Sequence, residues 1–267
     1  MKLGYIDYLN CYPFYYHMFE KKPVHGVKIV PAYPSGLNSM MLAGELQMSP
    51  ISSGAYPDLA DNVLLLPDFC LSSVGYVGSV NLISKVPIEA LDGKTVGVTT
   101  ASATSVALMK ILLHKFYGIT PQYVSAAPLP DMTNLDAALI IGNEAMMMLA
   151  EPVSYKYDLG ELWLRKTGYP VVFAVFAVQK SALETYGKQI SEVIMSYHES
   201  ITCMKTEKEN VVKKAKKRYP DVAYDINFYY TLFQFDFTKE LKDALLYYLQ
   251  LAAEMGLMKM IDGIETL

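Results

Sequence analysis

The chain has 267 residues, 52% of them apolar and 19% charged, with a formal net charge of −4. That length lies above the size at which single cores tend to split, so two lobes are expected, and the composition excludes intrinsic disorder. The slight acidity gives no global electrostatic case for nucleic acid, and no run of about 18 apolar residues offers a membrane span.

Asp7 and Asn10 break the first apolar run too early for a secretory signal, so a cytoplasmic location is expected. Cys11, Cys70 and Cys203 are far apart, and His17, His25, His114 and His198 are equally scattered. Neither set has the spacing of a disulfide framework or a zinc site, so no metal and no cofactor are expected. Of the 23 basic residues only Arg165 and Arg218 are arginine. The usual bidentate carboxylate clamp is therefore scarce, and an anionic ligand must be held largely by backbone N–H groups and hydroxyls.

Leu3–Ile6 reads as a buried strand, Pro13–Glu20 as a helix with Pro13 in its first turn, and Val27–Val30 as a second strand. Ser35 is the expected N-cap of a helix to Ala43, ended by Gly44, and Gln47–Ile51 is a third strand. Val63–Leu66 and Tyr76–Ser84 follow as long apolar segments with no helix between them. A new unit then opens with a short helix and turn over Val86–Lys94, a strand over Thr95–Thr99 and a helix over Ser102–Tyr117. Ala137–Ile141 and Val171–Val178 are unbroken apolar runs, as expected of strands covered on both faces. Helices over Ser181–Ser200, Lys208–Arg218, Ile226–Phe233 and Lys239–Met255 complete the chain. The alternation of strands and helices predicts two α/β lobes joined by two crossings, near Ser84–Pro87 and Phe176–Gln179. Lobe one is then residues 1–85 plus 178–267 and lobe two residues 86–177, with the ligand in the cleft at the carboxyl ends of the strands.

Three turns carry the chemistry this arrangement allows. Thr99-Thr100-Ala101-Ser102-Ala103-Thr104-Ser105 is a hydroxyl-rich turn of small residues at a helix start, where free N–H groups attract anions. Ordinary capping needs one hydroxyl, not five. Ser49-Pro50-Ile51-Ser52-Ser53 occupies the equivalent place in lobe one and suits a second anionic group. Asn10, between the first strand and first helix, can donate and accept without charge, or can cap the following helix. Ser79, inside an apolar stretch, must find a partner in the backbone or in a ligand. The lysine-rich run Lys205–Arg218 contains Val211, Val212 and Ala215 as an apolar stripe and reads as a solvated helix face, while Tyr12–Tyr16 and Phe228-Tyr229-Tyr230 read as core. Neither a nucleophile elbow nor a Walker loop nor a dinucleotide fingerprint occurs, so physical reasoning from residues alone reaches a two-lobed anion binder.

The stretches Tyr5–Pro13, Ser49–Ser53, Pro67-Asp68, Val77–Val80, Lys85–Ile88, Leu91–Lys94, Thr100–Val106 and Tyr157–Trp163 resemble, in order, those of the chorismate dehydratases of the futalosine route to menaquinone. The resemblance spans about residues 1–200. It implies an α/β, type II periplasmic-binding-protein-like fold, two lobes with mixed, mostly parallel sheets and a central cleft. It also implies a lyase whose small-molecule substrate is chorismate, converted to 3-[(1-carboxyvinyl)oxy]benzoate and water. Carried over by position, Asn10 and Ser79 would act near the reacting carbons. Thr100, Ser102, Ala103, Thr104 and Ser105, with Ser52, Ser53, Gly142 and Asn143, would bind substrate. Asn143 stands where the family pattern has Asp, Gly54 where an acidic residue is commoner, and Phe176 where Trp is frequent. The sister cyclic futalosine lyase shares the fold, but Leu9–Pro13 resembles the dehydratase. A solute-binding or sensor protein for a small acid is the rival from another class, since fold does not determine function.

Overall fold

The computed structural model describes residues 1–147 and 153–267. The chain opens with β1 (Lys2–Ile6), α1 (Tyr12–Glu20), β2 (Lys28–Ala32), α2 (Pro34–Leu42) and β3 (Met48–Ser52). Pro13 and Pro34 each lie in a first helical turn, where the missing N–H costs nothing. Pro34 displaces the expected cap: Tyr33 is the N-cap of α2 and no side chain caps it, while the Ser35 N–H donates to Ala101 O at 3.0 Å. The short α3 (Tyr56–Leu59) leads into β4 (Val63–Ser73), eleven residues long.

The chain then passes to a second unit with β5 (Val80–Ser84), β6 (Thr95–Thr99), α4 (Ala103–Ile111), β7 (Gln122–Ala126), β8 (Ala137–Ile141), β9 (Tyr155–Asp158) and α5 (Leu159–Thr167). It returns through β10 (Val171–Gln179) to α6 (Leu183–Thr206), α7 (Lys208–Arg218), α8 (Ile226–Tyr229), β11 (Phe233–Asp236) and α9 (Lys239–Glu254). The strands form two sheets, of order β11-β4-β10-β3-β1-β2 and β7-β6-β8-β5-β9. Both are mixed. Parallel pairing is confined to β1–β2, β1–β3, β6–β7 and β6–β8, and the strands next to the crossings pair antiparallel.

Sheet membership moves both crossings earlier than the sequence places them. Val80–Ser84 pairs with β8 and β9 in the five-stranded sheet, and Val171–Gln179 pairs with β3 and β4 in the six-stranded one. The chain therefore leaves the first sheet after Ser73 and rejoins it at Val171. An apolar run signals burial on both faces but does not name the neighbours that bury it. Ser79 consequently sits in the outgoing crossing itself. The helix expected over Ile226–Phe233 ends at Tyr229, because Phe233–Asp236 pairs with β4 as an edge strand. The partly exposed β7 and β9 lack a clean apolar alternation and escape a periodicity reading. The lysine-rich α7 buries Val211 and Ala215 and turns its lysines to solvent, as its pattern predicts.

One carboxylate pins the outgoing crossing. Asp158, at the end of β9, is buried and accepts the Gly78 N–H at 2.7 Å, the Val77 N–H at 3.2 Å and, as N-cap of α5, the Glu161 N–H at 3.0 Å. Burial pushes its carboxyl above the ordinary carboxylate range, and these backbone donors oppose that shift. Asp158→Ala would orphan all three donors. The expected loss is about 3 kcal/mol of stability, read as a lower urea midpoint at unchanged slope.

Candidate active site

The carboxyl ends of the central strands meet around a narrow pocket with about 40 Å³ of free space. Six neutral polar residues face it: Tyr8 and Asn10 from the β1–α1 turn, Ser52 at the end of β3, Ser79 in the outgoing crossing, and Ser102 and Ser105 at the start of α4. Apolar walls come from Ile6, Leu71, Val77, Ile141, Phe173 and Phe233. Among the described residues no charged side chain lines it. Free space of this size holds about three waters, so a larger ligand needs the lobes to sit further apart.

Hydrogen bonding in the cavity is incomplete in a patterned way. The Tyr8 hydroxyl, Asn10 Oδ1 and the Ser52 hydroxyl are buried with no partner among the described residues. Buried polar atoms are ordinarily paired, and leaving one unpaired costs about 1–3 kcal/mol, so their convergence marks a place built for a ligand. Burial and the negative charge of Glu144 both push the Tyr8 phenol well above its ordinary range, so Tyr8 stays a neutral donor. Ser102 caps α4: its hydroxyl oxygen accepts the Ser105 N–H at 3.3 Å and its own proton goes to Ser105 Oγ at 3.3 Å. The proton of Ser105 is thereby left for the cavity, beside the positive end of α4. Ser79 Oγ accepts a hydrogen bond from the Tyr229 hydroxyl at 2.7 Å, and its carbonyl holds the Gly142 N–H at 2.8 Å.

Of the residues expected from sequence, Asn10, Ser52, Ser79, Ser102, Ser105 and Gly142 come together at the cavity. Ser53, Thr100, Ala103, Thr104 and Asn143 do not line it. Thr100 and Ala103 are exposed, and Ser53 is buried in the turn beyond Ser52 with its hydroxyl unpartnered. Thr104 donates to Phe173 O at 3.0 Å and accepts the Gly54 N–H at 3.0 Å, which ties α4 to the other lobe. Helical geometry separates these roles: Ser102 and Ser105, three apart, share a face that Thr104 does not. Asn143 Oδ1 accepts the Leu9 N–H at 2.9 Å, a second tie between lobes, and Tyr33 donates to Glu144 at 3.1 Å as a third. Asn143 and Glu144 instead line an outer cleft of about 640 Å³ with Asp7, Tyr8, Arg218 and Tyr219. Gly142 serves through its lack of a side chain: at φ +65° a Cβ there would lie 2.4 Å from the Tyr8 ring.

The residues missed by the sequence reading are tyrosines. Tyr219 donates to Asp7 at 2.8 Å and Tyr230 to Leu9 O at 3.1 Å, so the C-terminal helices fix the turn that carries Asn10. Tyr229 meets Ser79 from the same segment. Aromatic composition alone reads as core, and only contacts between residues 150 to 221 apart in sequence expose the polar tips at work.

The family model described as menaquinone biosynthesis matches residues 1–254. The chain belongs to that family. It is 35% identical over 195 residues to the chorismate dehydratase of Thermus thermophilus, covering 67% of this chain and 69% of that protein. To the 1,4-dihydroxy-6-naphtoate synthase of the same organism it is 23% identical over 158 residues, 59% of this chain and 57% of that one. Among solved structures, a protein from Archaeoglobus fulgidus matches with a TM-score of 0.77 at 18% identity, covering 96% of this chain and 98% of that one. The alkanesulfonate-binding protein of Xanthomonas axonopodis pv. citri, bound to MOPS, matches at 0.73 and 11% identity, over 97% and 94% of the two chains. These likenesses establish the periplasmic-binding-protein fold, with its two mixed sheets.

Gly54 lies where the turn after β3 packs closely on α4 and α9. A Cβ there would stand 3.2 Å from Thr104 Cα and N and 3.2 Å from the Tyr248 hydroxyl. Gly54→Glu is expected to push the turn off α4, costing about 1–3 kcal/mol and raising the radius of gyration in small-angle scattering. An unchanged scattering curve would contradict the tight apposition.

Proposed function

We infer that the chain is a chorismate dehydratase, a hydro-lyase acting in the cytoplasm on the route to menaquinone. The observation that carries this reading is the set of uncharged donors, Tyr8, Asn10, Ser52, Ser79 and Ser105, converging on one pocket in a chain 35% identical to a chorismate dehydratase. Chorismate is a small diacid. Its carboxylates suit a helix start with a free serine proton on one side and the Ser52 turn on the other.

The reaction removes the C3 proton and the C4 hydroxyl and leaves an aromatic ring, so aromatisation supplies the driving force. The protein's task is to orient the substrate, exclude water and ease the departure of hydroxide. No His, Asp or Glu side chain lines the cavity among the described residues, so no side chain there is an evident base. In our reading a substrate carboxylate takes the C3 proton, while Asn10 and Ser79 hold the reacting groups. Closure around Thr104 and Asn143 strips solvent from those contacts, which strengthens each of them.

Mixing purified protein with chorismate and following the diene absorbance tests the activity directly. Conversion to an aromatic product supports the dehydratase, and chorismate returned unchanged supports a solute binder. Asn10→Ala and Ser79→Ala are each expected to lower kcat by about 10²-fold or more, the usual effect of removing one preorganised donor. Wild-type turnover in both variants would reject these assignments.

A further inference from the structure

A serine hydroxyl has one proton to give and two lone pairs with which to accept. At Ser79 one of those lone pairs is taken. The Tyr229 hydroxyl donates to Ser79 Oγ at 2.7 Å, and both residues are fully buried. Burial pushes the Tyr229 phenol well above its ordinary range, so it keeps the proton that it donates to Ser79. Among the described residues no protein acceptor takes the Ser79 proton in return. Ser79 lines the cavity.

The segment holding Tyr229 is itself fixed. Asp225 caps α8 by accepting the Asn227 and Phe228 N–H groups at 2.9 and 3.1 Å, and the Tyr229 ring packs edge-on against Phe233 at 4.9 Å between centroids. The phenol tip therefore reaches Ser79 from a rigid mount on the C-terminal part of the chain, across the outgoing crossing.

We propose that Tyr229 is a positioning residue that orients Ser79 as a hydrogen-bond donor to the substrate, aimed at the oxygen that gains charge as the C4–O bond breaks. This rests on the dehydratase reading. The C3 proton passes to the substrate carboxylate and the C3–H electron pair enters the ring. The C4–O pair leaves with the hydroxyl oxygen, which receives the Ser79 hydrogen bond, and that hydroxide and the proton together make the water. Ser79 keeps its own proton throughout, so it is neither base nor nucleophile. Without Tyr229 the serine hydroxyl would be free to turn between donating and accepting, and the departing oxygen would lose a preorganised partner.

The test is a double-mutant cycle on the full chain. Tyr229→Phe keeps the ring and its packing and removes only the hydroxyl. It is expected to lower kcat about tenfold with KM changed less than about twofold, and to add no further loss to Ser79→Ala. Unchanged kcat in Tyr229→Phe, or an equal fractional loss in both backgrounds, overturns the proposal. Calorimetric Kd values for chorismate on the same four proteins separate this from failure of the underlying reading. If wild type binds chorismate without converting it, the dehydratase reading fails. Weaker binding by Tyr229→Phe in the Ser79 background alone then still supports the pair, and additive losses reject it. A wild type that neither binds nor converts chorismate overturns both.

Discussion

Polar atoms enclosed between two lobes must be paired, and the pairing at this cleft divides them into two groups. One group is satisfied by protein: Thr104 bonds Gly54 and Phe173, Asn143 bonds Leu9, and Glu144 bonds Tyr33. These bonds hold the lobes together. The other group, the Tyr8 hydroxyl, Asn10 Oδ1 and the Ser52 hydroxyl, is buried there with no partner among the described residues. Closure thus creates the demand that a ligand meets, so binding and lobe apposition are coupled through the same few ångströms of interface.

The charge pattern follows from the same constraint. A fixed cation or carboxylate buried in this pocket would carry a desolvation cost whenever the ligand was absent. Neutral hydroxyls and an amide cost far less, and the first turn of α4 adds a partial positive charge without any ionisable group. Such a lining recognises an anion by geometry and directed donors. It is also compatible with a reaction whose driving force lies in the substrate, where the protein supplies position and solvent exclusion more than acid–base power.

The C-terminal segment turns this cavity from a container into an oriented site. Tyr219 and Tyr230 hold the turn bearing Asn10, and Tyr229 engages Ser79. Three tyrosines within twelve residues therefore address both of the residues placed nearest the proposed chemistry. Asp158 does the complementary work from the second sheet by accepting the backbone N–H groups of Val77 and Gly78. The crossing is consequently held from the second sheet at Val77 and Gly78 and from the C-terminal segment at Ser79.

Local pattern in the sequence determined much of this protein. The βαβ opening, the unbroken apolar strands at Ala137–Ile141 and Val171–Val178, and the Ser102 cap are set by periodicity and capping chemistry that act over a few residues. The scarcity of arginine likewise foreshadowed a lining of neutral donors. Only tertiary structure decided which sheet received β5 and β10, because a strand buried on both faces is indifferent in composition to its neighbours. It alone also separated Ser102 and Ser105, which face the cavity, from Thr104 and Asn143, which join the lobes, and gave Tyr229 its partner. Those outcomes depend on contacts between distant segments, and a hydroxyl looks the same in sequence whether its partner is backbone, another side chain or substrate.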